Sequence, residues 1–73
     1  GGGNYLLLGI KDPTSALLSF LDKISLRIGS KIYVRGVESY NGSIEIEIGD
    51  EIRFITSDIA NQLLVKEDEK DNN

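Results

Sequence analysis

Cysteine, histidine, methionine and tryptophan are all missing from this chain of 73 residues, and it has a single proline. Without cysteine, neither a disulfide framework nor a thiolate metal site can supplement the core. Without histidine as well, the groups that most readily exchange protons or attack at neutral pH are gone, which leaves carboxylate pairs as the remaining catalytic option. The nearest such pair, Glu45 and Glu47, alternates with isoleucines and so projects from a strand into water. A domain of this size has little room for a cleft around it, so no catalytic residue is assigned and no enzyme is expected. The missing methionine implies that the chain as given does not begin at a translation start. Residues 1–3, Gly1-Gly2-Gly3, read as an appended leader or linker, and the whole as a piece of a longer protein.

Long apolar runs are missing too. Nothing approaches the roughly 18 residues that would span a bilayer, and no basic-then-apolar N-terminus reads as a secretion signal. The cytoplasm is therefore the expected compartment, without membrane insertion. Nor is there a basic excess, the formal charge being −4. Through Lys66 seven basic residues stand against eight acidic ones, and the last seven residues, Glu67 to Asn73, carry the remaining −3. A nearly neutral body cannot release the counterions that phosphate binding requires, so no direct contact with nucleic acid is expected. Residues 67–73 are polar and without apolar period, and are expected to form a disordered acidic tail.

What is present is a small aliphatic core. Apolar residues make up 40% of the chain and aromatic ones only 7%, so isoleucine, leucine and valine must supply the burial. A chain this short buries only about 60% of the surface its unfolded form exposes. Tyr5 to Ile10 is a continuous apolar run of strand length, bounded by glycines and by Asp12-Pro13. Asp12 reads as a helix cap with Pro13 at the first helical position. Leu17, Phe20, Leu21 and Ile24 then recur on one helical face, with Ser15, Ser19, Asp22 and Lys23 facing elsewhere. Leu26-Arg27-Ile28-Gly29 ends the helix, and Gly29 offers the positive φ that a reversal into the next strand needs.

From Lys31 to Thr56 the period changes to two. Asn41-Gly42 predicts a two-residue hairpin turn pairing Ser39 with Ile44 and Val37 with Ile46. Ile32, Val34 and Val37 must all point inward, which a regular strand forbids, so a β-bulge is expected near Gly36. Inward Ile48 and Ile52 would face each other across a three-residue loop, Gly49-Asp50-Glu51, setting Glu47 opposite Arg53. Ser57 to Gln62 reads as one helical turn capped by Ser57, with Asp58 favourable at its positive end, and Leu63-Leu64-Val65 as the last strand beside the first.

The run Leu17 to Val34, a short amphipathic helix passing through Gly29-Ser30 into an alternating strand, together with Thr56 to Val65, resembles the FeoA-like domain. The resemblance covers residues 4–66. It implies an all-β fold with one short helix, a small SH3-like barrel of five or so antiparallel strands. That domain occurs alone in ferrous-iron transport systems and as the C-terminal domain of metal-dependent repressors of the diphtheria-toxin-repressor family. The resemblance implies a non-catalytic interaction and regulatory domain at the C-terminus of an iron- or manganese-dependent transcriptional regulator. Its partner would be a protein, either upstream domains of the same chain or the dimer mate. The alternatives are a free-standing accessory of a ferrous-iron transporter and an adaptor with no link to metal.

Some such repressors take a glutamate and a glutamine, three residues apart at the start of the first helix, into their metal site. Here Pro13 and Ala16 fall near those positions, give or take a residue, and neither side chain ligates. No metal ligand or cofactor is assigned to this domain, and iron or manganese is expected in the upstream part of a full-length regulator. Recognition is left to surface. Tyr33 and Arg35 should share the outward face of their strand, and Tyr40 sits at the hairpin shoulder. Together they form the expected protein-interaction site, since a core this small leaves no room for a pocket of a few hundred Å³.

Overall fold

The computed structural model describes residues 3–68. Gly1, Gly2 and residues 69–73, most of the expected acidic tail, lie outside them. Seven elements follow one another: β1 (Gly3–Ile10), α1 (Ser15–Lys23), β2 (Lys31–Val37), β3 (Ile44–Ile48), β4 (Glu51–Ile55), α2 (Ser57–Ala60) and β5 (Leu63–Glu67). The strands form one antiparallel sheet in the order β4-β3-β2-β1-β5. β5 pairs with β1 from Ile10 opposite Leu63 to Tyr5 opposite Glu67. β1 thus starts at Gly3 and β5 runs to Glu67, each strand extending two residues beyond the expected Tyr5 and Val65. The sheet curls into an all-β barrel with Leu7, Leu21, Ile24, Leu26, Ile32, Ile46 and Ile55 buried inside. Two of them, Leu21 and Ile24, come from the stripe that the helical period picked out.

Both helices start at a threonine. Thr14 has extended backbone (φ −98°, ψ 159°), and its Oγ1 accepts from the Leu17 N–H at 3.1 Å, satisfying a first-turn donor. Asp12 and Pro13 therefore precede the cap and do not form it. The Asp12 N–H donates instead to Gln62 Oε1 at 3.0 Å, tying the approach to α1 against the start of β5. Thr56 caps α2 likewise, its Oγ1 accepting from the Ile59 N–H at 3.2 Å, so Ser57 is the first helical residue. In each case the cap is the threonine whose extended backbone immediately precedes the first helical residue.

The end of α1 also comes earlier than the Leu26–Gly29 step. Ser25 adopts φ 63°. The Ser25 N–H donates to Asp22 O at 3.0 Å and the Leu26 N–H to Leu21 O at 2.9 Å. This crossed pair is a Schellman cap, with buried Leu26 packing back toward Leu21 as that motif favours. Gly29 does take a positive φ, 93°. The Leu7 N–H donates to Ser30 O at 3.0 Å and the Gly29 N–H to Leu7 O at 2.8 Å, so this loop is stitched to β1 before β2 begins.

The two hairpins depart from expectation in different ways. In the first, Val37 pairs with Ile44, the Glu38 N–H donates to Ser43 O at 2.7 Å, and residues 39–42 form a four-residue loop closed by Gly42 at φ 74°. The register thus sits two residues from the expected one. A shift of two preserves the side-chain faces, and the expected bulge is present between Val34 and Gly36. In the second, Ile48 pairs with Glu51 and Ile46 with Arg53, so the loop is Gly49-Asp50 alone. Gly49 has φ 60°, and glycine with positive φ at the first central position is the mark of a type II′ turn. A slip of one residue reverses every side chain of a strand. Arg53 and Ile55 therefore share the inner face, while Ile52 and Phe54 point out.

Candidate functional site: two faces of one sheet

The outer face is built from three central strands. Tyr33 on β2 lies opposite Glu47 on β3, which lies opposite Ile52 on β4. In the next row Gly36 faces Glu45, which faces Phe54. The bulge places Arg35 beside this row. Its Nε donates to Glu45 Oε2 at 3.0 Å and a terminal nitrogen to Glu47 Oε1 at 3.3 Å. The hydrogen bond and charge of Glu45, and then those of Glu47, raise the pKa of the guanidinium above its ordinary value, so it stays charged throughout the physiological range. Arg35 is exposed and the two glutamates are half-buried, so the cluster is a partly solvated charge array. Glu45 and Glu47 are thereby occupied as partners of one arginine.

Tyr33 and Arg35 thus meet around Glu47 on one face. Tyr40 is not part of that group. It stands at the tip of the 39–42 loop, 93% exposed, several strand residues away. Sequence reasoning missed Ile52 and Phe54, exposed by 38% and 55%, which extend the apolar area next to Tyr33. The signal was Gly49-Asp50 read as a two-residue turn, which sets the correct face for β4. The expected pairing of Glu47 with Arg53 does not form. Arg53 instead donates to Glu51 on its own strand and to the Ile52 carbonyl.

The inner face divides in two. At one end α1 lies over the sheet and the core closes. At the other the sheet surrounds an open trough of about 360 Å³, almost wholly apolar, with Tyr5, Val34, Val37, Ile44, Leu63 and Val65 on its walls. The small size of the chain does not exclude a space of this volume, because α1 covers only one end of the barrel and the single turn of α2 reaches the other with little more than Ala60.

The two positions matched to the repressors' helix-start ligands carry no donor side chain. Pro13 precedes the Thr14 cap and Ala16 lies in the first turn, both exposed and without a donor side chain. Among the described residues no three acidic, imidazole or thiol side chains gather into a group that would hold a metal ion. No helix among them is long and apolar enough to cross a membrane.

Five short antiparallel strands curled around an aliphatic core, with one helix over an end and an aromatic patch on the outer sheet, define a small SH3-like barrel. The chain belongs to the FeoA domain family, whose sequence profile matches residues 2–67. No curated protein sequence matches it. Among solved structures it is similar to the manganese regulator SloR, at 26% identity and TM-score 0.83 over 93% of this chain. The metal-dependent transcriptional regulator MtsR is similar at 25% identity and TM-score 0.78 over 92%. ScaR with bound Cd²⁺ shares the fold at 24% identity and TM-score 0.80 over 90%. The chain spans 31% of the length of each of these regulators.

Proposed function

We propose that this chain is the non-catalytic C-terminal interaction domain of a cytoplasmic iron- or manganese-dependent transcriptional regulator. In this reading the chain tunes the regulator by docking its outer face, centred on Tyr33 and Arg35 with Ile52 and Phe54 alongside, against the upstream part of the same polypeptide or its dimer mate. Tyr40, at the loop tip, reaches the same partner from the side. The observation that carries the reading is the likeness to SloR across 93% of this chain at 26% identity. The activating metal and the DNA-binding elements would belong to the upstream part, as the donor-poor start of α1 and the near-neutral body of this domain favour. A separate FeoA-type accessory of a ferrous-iron transporter is the second reading, favoured by the match over residues 2–67. The coding sequence upstream of Gly1 separates the two.

The test is the double change Tyr33→Ala, Arg35→Ala in the full-length protein. The 73-residue chain carrying it is expected to keep its unfolding midpoint, because neither side chain enters the core, while metal-dependent repression changes. A lowered midpoint, or repression that responds to metal as before, contradicts the assignment of this face.

A further inference from the structure

The sheet has two edge strands, β4 and β5, and they are protected unequally. β4 turns Arg53 toward the inner face, opposite buried Ile46. An inward charge on an edge strand is a known guard against the addition of another strand. β5 opens with Leu63-Leu64-Val65, has no proline, and carries no inward charge before Glu67. The irregularity in its pairing lies on the β1 side, between Leu7 and Gly9.

Hydrogen bonding fixes which groups of β5 are free. The Lys11 N–H donates to Gln62 O at 2.8 Å and the Asp68 N–H to Asn4 O at 2.9 Å. In an antiparallel ladder the groups facing one neighbour alternate along the strand, so residues 62, 64, 66 and 68 face β1. The N–H and C=O of Leu63, Val65 and Glu67 face outward. The side chains of Leu63 and Val65 are also the ones that wall the trough. Among the described residues, a backbone edge without a pairing strand and an open apolar trough therefore meet along β5.

We propose that this edge and trough bind an extended polypeptide segment of a partner, which adds to β5 as a sixth, antiparallel strand. Alternate apolar side chains of the segment enter the trough, because its walls offer almost no polar partner. Lysine or arginine at the segment's N-terminal end lies beside Glu67 and Asp68, where an antiparallel strand must begin and where the chain continues with a net negative charge. A second copy of this chain fits less well. Its own Leu63 and Val65 already wall its own trough, and an edge of five residues falls well short of the roughly 1,200 Å² that stable dimers bury.

The probe is the synthetic peptide Lys-Lys-Val-Thr-Val-Thr-Val, titrated into the 73-residue chain while its amide NMR signals are followed. Saturable shifts are expected at Leu63, Val65 and Glu67 and around Val37 and Ile44, with a Kd on the order of 0.1 mM. Val65→Pro removes an N–H that faces away from β1 and should weaken binding at least about tenfold. Should that variant fail to fold, Val65→Lys places an inward charge at the same edge with the same expected loss. Exchanging the peptide's lysines for glutamates should weaken it further at low salt. The Tyr33→Ala, Arg35→Ala variant should bind the peptide unchanged, which separates this site from the proposed regulatory face. The proposal is overturned by shifts confined to the outer face, by no saturation up to about 1 mM, or by binding indifferent to both Val65 variants. Concentration-dependent dimerisation abolished by those variants would overturn the choice of occupant.

Discussion

The helix-covered end of the barrel and its open end are made of the same residue types but are packed very differently. At the covered end Leu7 and Leu26 are exposed by only 1–2%, with α1 above them and the 26–30 loop stitched to β1. At the open end Val37 is 65% and Val65 41% exposed, although both belong to the inner face by parity. A chain with one substantial helix covers one end of its barrel and leaves the other for something else to cover. Stability is concentrated at the first end, and surface suited to a partner is left at the second.

Substitution should expose that division, beginning with the largest effect. Leu26→Ala removes side-chain volume from the fully packed end and should cost about 2–5 kcal/mol, enough to unfold much of the population of so small a domain. Urea denaturation measures it, and a cost near that of a surface change would remove the contrast. Ser25→Gly acts at the margin of the same end. Ser25 holds a left-handed conformation that serine resists and the Schellman cap requires, so glycine should raise stability by up to about 1 kcal/mol. A loss would mean that the Ser25 side chain contributes something the hydrogen bonds do not reveal. Val37→Thr, at the open end, should change stability by no more than about 0.5 kcal/mol. A larger loss would show that end to be more tightly packed than its exposure indicates.

Much of this architecture was legible in the residues. The alternation of Ile44, Ile46 and Ile48 with glutamates set the faces of β3, and the stripe from Leu17 to Ile24 placed α1 over the core. The conflict between Val34 and Val37 located the bulge even though the hairpin register was two residues off, because an even shift leaves parity intact. β4 was misread for the complementary reason. Glu51-Ile52-Arg53-Phe54-Ile55 alternates charge and hydrophobe in either phase, so only the length of the Gly49 turn decides which side faces in. An odd error there moved Ile52 inward, hid Phe54 and created a pairing of Glu47 with Arg53 that does not form. Cap positions were off by two residues at α1 and one at α2, since aspartate, serine and threonine are all competent caps and local backbone chooses among them. The trough was not legible at all. It arises from what is missing above one end of the sheet, and a residue pattern describes only what is present.

Native-state hydrogen exchange on the 73-residue chain tests the division most directly, because both ends contain hydrogen-bonded amides of similar length. At the covered end these are Leu7 to Ser30 at 3.0 Å, Leu26 to Leu21 at 2.9 Å and Gly29 to Leu7 at 2.8 Å. At the open end they are Glu38 to Ser43 and Gly42 to Glu38, both 2.7 Å, and Asp68 to Asn4 at 2.9 Å. With hydrogen-bond length matched, packing decides the rest. The first three amides should exchange only through global unfolding, with equal opening free energies. The second three should exchange through local opening at clearly lower free energy. Equal protection at the two ends would contradict the account.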